Sequence, residues 1–420
     1  MMSKYTVQLA SYKLTRKPEL VREFIHDCLY NDKIGYFQQH VNILSVNSGH
    51  IPFNSLKNQT EYNEYLTKAY MEQSKTEKFF QLWHTPSELF RPWYGQGIGK
   101  FLIRKYKECS ISKNNMPLVI YEIGPGNGTL CEDVLSFMEK YDQEVFARVE
   151  YNLIEISERL VKTKLIPLKK RFPSKVRIHN QSFFDWQYVD KRPSTVIAIE
   201  VFDNLPQDRI RFTTKGALEQ ALVVTNDESQ YQDEQERYTE VFVPANDPLI
   251  IEAVNILDKI GHSWPSLQRS YECFYNIWPL SAFPFQRPWS SEFIPTMPIQ
   301  FFKVLAKYFP SHQLLLADFD SLPDCISGHG APVVQTRYQG ETVACSTYLL
   351  ERGLFDIFFP FNFITLGKIY EHICERPTQV IKHVQFGRSC MDVTKTRTRS
   401  GYNPLEEDFT NVSYLIGEYS

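Results

Sequence analysis

Four groups of residues in this chain have types and spacings suited to chemistry. Glu122-Ile123-Gly124-Pro125-Gly126-Asn127-Gly128 sets a carboxylate ahead of three alternating glycines. Glu155 ends an apolar run, 27 residues beyond Gly128, and Phe184-Asp185 follows the next such run. Glu200-Val201-Phe202-Asp203-Asn204-Leu205-Pro206 closes the run Val196-Ile197-Ala198-Ile199 with two carboxylates and an amide. Glycine is needed where φ is positive or where a ligand must approach the backbone. A helix starting just after such a loop offers unpaired N–H groups. A carboxylate at the end of the following strand can take both hydroxyls of a ribose. Paired carboxylates can orient a guanidinium and accept its proton.

These groups can act together only if strands bring their ends to one edge. Apolar runs predict strands at 117–123, 150–156, 175–182, 194–202 and 312–319. Those that are apolar throughout read as buried on both faces. Helical periodicity lies between them, as in Leu130, Val134, Phe137 and Met138. That alternation implies a parallel sheet with right-handed crossovers. Thr129 with Glu132 reads as a capping box on the helix after the Gly-loop.

Ahead of the loop the chain reads as mostly helical. Helices are expected over 18–30, with Leu20, Phe24 and Cys28 four apart, over 61–80, and over 94–106. His84 to Phe90 opens a further short helix with Ser87 as its expected N-cap. Thr85 and Glu88 there are candidates to reach the cleft, although Glu88 also suits the positive end of a helix dipole.

About a hundred residues separate the fourth and fifth strands. Two or three short strands are expected over 209–243, with a polar loop at 226–237 and a helix over 247–260. The stretch 261–298 is rich in proline and aromatics, among them Trp264, Tyr271, Phe274, Tyr275, Trp278, Phe283, Phe285 and Trp289. An insertion at this point opens on the carboxyl edge of the sheet, where ligands bind, and reads as a substrate lid or partner surface. Further strands are expected at 332–337, 342–348 and 354–363. The organisation expected is a basic tail or transit peptide (1–18), a helical cap (19–110), the first part of the core (111–206), the insertion (207–310) and the rest of the core with C-terminal strands (311–420).

Composition narrows the classes. The chain has 420 residues, 43% hydrophobic and 23% charged, which suits a globular protein with a sizeable core. A formal net charge of −3 gives no electrostatic case for nucleic acid. Eight scattered cysteines form neither a C-x-x-C pair nor a zinc-ligand spacing, so no metal is expected. No run reaches the roughly 18 apolar residues of a membrane span. Residues 1–18 carry Lys4, Lys13, Arg16 and Lys17 with no acid, a composition that fits a mitochondrial transit peptide or a solvated basic tail.

The Gly-loop chooses between two ligands. A dinucleotide fingerprint wants G-x-G-x-x-G, but Thr129 stands where its third glycine belongs. The order acid-x-G-x-G-x-G resembles motif I of the Rossmann-like S-adenosylmethionine methyltransferases. Together with Leu20–Phe37, Thr85–Phe90, Leu153–Leu160, Ile199–Pro206 and Leu314–Phe319, it resembles the MidA-like methyltransferases, a family that includes a mitochondrial protein-arginine methyltransferase linked to complex I assembly. The resemblance runs from about residue 20 to about 365. Departures are Ile199 where the family has Asn, Thr-Pro-Ser-Glu in the cap, and Asp318-Phe319-Asp320 after the fifth strand.

The resemblance implies an α/β fold: a Rossmann-like class I methyltransferase core with an N-terminal helical cap and a large insertion after the fourth strand. It implies S-adenosyl-L-methionine as cofactor, with Glu122, Gly124, Gly126, Gly128, Glu155, Phe184 and Asp185 around it. It implies a protein arginine as acceptor, held by Thr85, Glu88 and Asn204, with Glu200 and Asp203 catalytic, and a place in the mitochondrial matrix. A non-catalytic assembly factor and a nicotinamide enzyme are the alternatives.

Overall fold

The computed structural model describes residues 17–39, 41–43, 50–74, 81–109, 115–213, 215–226, 237–264, 291–338 and 341–419. The expected tail up to residue 16 lies outside them. So do most of the polar loop at 226–237 and the aromatics between Tyr271 and Trp289.

A seven-stranded sheet forms the centre: β1 Val119–Ile123, β2 Glu150–Ile154, β3 Val176–His179, β4 Ser194–Ile199, β5 His312–Phe319, β6 Thr378–Lys382 and β7 Val412–Gly417, in the order β3-β2-β1-β4-β5-β7-β6. The first five pair in parallel, and β7 enters antiparallel to both neighbours. Parallel strands are covered on both faces, and β1 is buried along its whole length. Its side chains alternate between two cores. Val119, Tyr121 and Ile123 face one, and Ile120 faces the other. Ile123 stands opposite Ile154 and Ala198, and Ile199 opposite Ala317. The residues that follow, Gly124, Glu155, Glu200 and Asp318, therefore share one edge.

On one face, α1 (Trp93–Glu108) packs against α2 (Thr129–Tyr141), which buries Leu130, Cys131, Val134, Leu135 and Met138. The other face joins a second, antiparallel sheet made of Glu19–Leu20, Asp208–Phe212, Leu218–Thr225, Tyr238–Pro244 and Ser291–Ile294. Helix Val21–Tyr30 lies on it and buries Val21, Phe24, Ile25, Cys28 and Leu29. The N-terminal segment and the insertion after β4 thus share a core.

Several expectations change. The N-terminal helix starts at Val21, because Glu19–Leu20 is drawn into the second sheet. The segment ahead of the Gly-loop also contains two short parallel strands, Val41–Ile43 and Gln81–Trp83. Residues 354–363 hold only the strand Asp356–Phe358, and Phe363 begins a helix that runs to Cys374 with Asn362 as its N-cap. No helix among the described residues is long and apolar enough to cross a membrane.

Candidate functional site

The Gly-loop leaves β1 by way of a hydrogen bond from Gly124 N to Ile154 O (3.0 Å) and turns through Gly128 N to Pro125 O (2.8 Å). Gly124, Gly126 and Gly128 have φ of 63°, 54° and 77°, a region that side chains with a Cβ rarely enter. A Cβ on Gly126 would lie 2.7 Å from Ile43 Cδ1, and one on Gly124 would lie 3.0 Å from Val201 Cγ2. Only glycines make this cradle.

Gly128, not Thr129, is the N-cap of α2, and it supplies no side-chain cap. The expected capping box does not form, because both of its members are taken from outside the helix. Thr129 Oγ1 donates to Glu88 Oε1 (2.6 Å). Glu132 pairs with Arg91 and Arg171. Asn127 Nδ2 also donates to Glu88 Oε1 (2.9 Å), so the buried Glu88 grips both flanks of Gly128. Glu88 is positioned by Thr85, whose Oγ1 caps its N–H (3.3 Å) in place of the expected Ser87.

Glu122 is buried below the loop, where the Tyr151 hydroxyl donates to its Oε2 (2.7 Å). Glu155 turns back at the end of β2, and its Oε1 accepts the Ser157 N–H (2.8 Å). Burial pushes both carboxyls up to about 7. After β3, Phe184 is half-buried against Phe301, while Asp185 is exposed. A glycine cradle flanked by carboxylates suits a ligand with a ribose diol and a cationic amino-acid end, as in S-adenosylmethionine.

Glu200 N bonds Ala317 O (2.9 Å), after which the chain turns sharply, with Glu200 itself at φ 56°. Glu200 lines a narrow cleft with Pro86, Tyr94, Asp318 and Phe409. Burial holds its pKa well above the ordinary range, and the charges of Asp318 and Glu88 add to that effect. Asp203 is more deeply buried, and its Oδ1 accepts the Asn204 N–H (2.9 Å). Burial, Asp318 and Asp356 likewise raise it. The next element after Asp203 among the described residues is the strand Asp208–Phe212, so Asp203 caps no helix.

Asn204, expected at the acceptor, gives its Nδ2 to Asp356 Oδ1 (2.9 Å) and Ile357 O (3.1 Å), an internal clamp. Asp318 was not among the expected residues. It stands at the same edge, and a strand-end acid after an apolar run was its signal. None of Glu200, Asp203 and Asp318 makes an ion pair among the described residues.

Two predictions arise here. If Glu155 takes the ribose hydroxyls, Glu155→Ala should weaken S-adenosylhomocysteine binding ten- to a hundredfold, since charge-assisted hydrogen bonds contribute about 1.5–3 kcal/mol. Calorimetry with the natural ligand and a 2′,3′-dideoxy analogue reads it. Equal losses for both would remove the ribose role.

The second concerns pH. Glu122, Glu155 and Asp356 titrate near 7 in the folded chain, far above their unfolded values of about 4. The folded state then holds more protons than the unfolded state, so stability falls as pH rises toward 7 and just beyond. Buried His312 and His383, lowered to about 4, act oppositely, but mostly below about pH 6.5. The ligand-free protein should therefore melt lower at pH 8 than at pH 6.5, with a shallower slope for Asp356→Asn. A flat or rising profile in thermal melts contradicts this.

Comparison with known proteins adds three findings. The profile of a family of S-adenosyl-L-methionine-dependent methyltransferases matches residues 98–381. The chain is 24% identical over 249 residues to the Protein arginine methyltransferase NDUFAF7 homolog, mitochondrial, of Schizosaccharomyces pombe, covering 58% of this chain and 52% of that one. It thus spans about half the length of that curated relative. A Burkholderia thailandensis protein bound to S-adenosyl-homocysteine superposes with a TM-score of 0.58 at 11% identity, covering 99% of this chain and 90% of that one. A native structure of an uncharacterized member of the same superfamily from that organism gives 0.56 at 12% with the same coverage. At such identities the likeness is one of fold, the Rossmann-like α/β core expected from the sequence.

Proposed function

The chain belongs to this family of S-adenosyl-L-methionine-dependent methyltransferases, and from that premise we propose that it methylates a protein arginine in mitochondria. The observation that carries the acceptor class is the edge formed by β4 and β5. There Glu200 and Asp203 stand together without an ion-pair partner among the described residues, beside Asp318, whose oxygens are taken by backbone amides. A guanidinium brings the positive charge such a site lacks, and its planar fork matches a carboxylate. The arginine and mitochondrial parts of the reading draw on the printed name of the yeast relative.

Bound S-adenosylmethionine supplies a methyl group on a sulfonium. Glu122, the Gly-loop, Glu155 and Phe184 would hold it. Glu200, with its raised proton affinity, would orient the acceptor nitrogen and take its proton as the new bond forms. Thr85 and Glu88 would wall the acceptor side from the cap. The insertion, whose first strand begins at Asp208, would form the protein-binding rim.

The test is transfer of tritium from methyl-labelled S-adenosylmethionine to proteins of a mitochondrial extract, followed by amino-acid analysis. Label in methylarginine supports the reading, and label in another residue overturns the acceptor. Binding of S-adenosylhomocysteine without any transfer would favour an assembly factor that keeps the fold.

A further inference from the structure

We propose that Asp318 is the positioning residue that aims Glu200, by holding the turn after β4 through the turn's own backbone. This inference rests on the catalytic role proposed for Glu200. One oxygen of Asp318, Oδ2, accepts three successive N–H groups: Val201 (3.2 Å), Phe202 (2.8 Å) and Asp203 (3.1 Å). The other, Oδ1, accepts the Phe319 N–H (2.8 Å). Consecutive N–H groups converging on one point form a concavity that binds an anion. Here the anion belongs to the chain.

The sheet register explains why this acid does it. Ile199 and Ala317 are the last residues paired between β4 and β5, so the residues that follow them, Glu200 and Asp318, stand side by side at the sheet edge. Asp318 is 1% exposed and makes no ion pair among the described residues, so its charge is balanced by these amides.

The consequence falls on Glu200. A glutamate at φ 56° is strained, and such strain persists only where the surroundings over-determine it. The amides of the next three residues are what Asp318 fixes. Without it the turn could relax to negative φ and swing the Glu200 carboxylate out of the cleft. Asp318 also acts through its charge. The groups facing Glu200 are Asp318 from β5, Asp203 from the same turn, Glu88 from the cap, and the hydroxyls of Tyr94 and Tyr414 from α1 and β7. All the charged ones are acids, so each raises its proton affinity.

The test uses the full chain with Asp318→Asn and Asp318→Ala. Asn keeps the shape and one acceptor oxygen but loses the charge, and Ala loses the clamp. Three readouts are taken: amide hydrogen exchange at 201–203, S-adenosylhomocysteine affinity, and tritium transfer to mitochondrial extract across pH at saturating S-adenosylmethionine. Expected for Ala are faster exchange at all three amides, unchanged affinity, and transfer reduced roughly a hundredfold, the scale of a lost general base. Expected for Asn are a smaller loss and an acid limb moved to lower pH.

Unchanged exchange at 201–203 in both variants overturns the proposal, as does full transfer by both. Asn alone decides if Ala does not fold. If Glu200→Gln retains full transfer, the underlying reading of Glu200 has failed. If Glu200→Gln is inactive while both Asp318 variants are fully active, this inference alone has failed.

Discussion

Gly126→Val should abolish cofactor binding while leaving the protein folded. Gly126 sits at φ 54°, where a left-handed backbone costs an ordinary residue about 1–2 kcal/mol and a β-branched one more. The added Cβ would also stand 2.7 Å from Ile43 Cδ1. Ile43 ends a flexible side chain and can yield, so the backbone term decides. The loop would relieve it by rotating to negative φ, which turns the neighbouring N–H groups away from the ligand and fills the cradle with methyl groups. β1 and α2 keep their buried apolar residues, so the fold should survive. Calorimetry should show S-adenosylhomocysteine affinity falling by at least about a hundredfold, or nearly 3 kcal/mol, with far-ultraviolet circular dichroism unchanged. Gly126→Ala should fall between wild type and valine. Wild-type affinity in both variants would show that this loop does not hold the cofactor.

How much of this was legible follows the range of the forces involved. β1 to β5, and the acids that close β2 and β4, could be read because each strand is a short apolar run that stops at a polar residue. A parallel sheet then brings those stops to one edge. Thr129 misled because local sequence favours a capping box, whereas its hydroxyl finds Glu88, 41 residues away. Asn204 misled in the same way, since its amide is captured by Asp356, 152 residues on.

The two C-terminal sheet strands were missed for another reason. β6 is only half-buried and mixes polar with apolar residues, and β7 gains its place by pairing with both β5 and β6. The periodicity of the first helix was visible, but not its seat. Phe24 packs edge-on to Tyr238 (4.9 Å between ring centroids) and Tyr348 (6.1 Å), contacts that no local pattern encodes. At the site, Asp318 read as one more strand-end acid, because its four partners are backbone amides and carry no side-chain signal.

Glu200→Gln should lose methyl transfer by at least the roughly hundredfold attributed to a general base, while binding S-adenosylhomocysteine like wild type. Glutamine keeps the length and an acceptor oxygen but cannot take a proton. The Gly-loop and Glu155 follow β1 and β2, whereas Glu200 follows β4, so the substitution leaves the proposed cofactor contacts in place. Stability separates this from damage to the fold. Glu200 ionises against burial and against Asp318 and Glu88, so a neutral amide there should raise the melting temperature above pH 7 or leave it unchanged. Asp203→Asn should cost less than Glu200→Gln, since an amide oxygen can still accept the Asn204 N–H now held at 2.9 Å. Full transfer by Glu200→Gln would remove it from the chemistry, and lost cofactor binding would move it into the cofactor site. A glutamine variant that melts no lower than wild type, binds the cofactor product and transfers nothing would place the loss in the reaction itself, because the only group removed is the one able to take the proton.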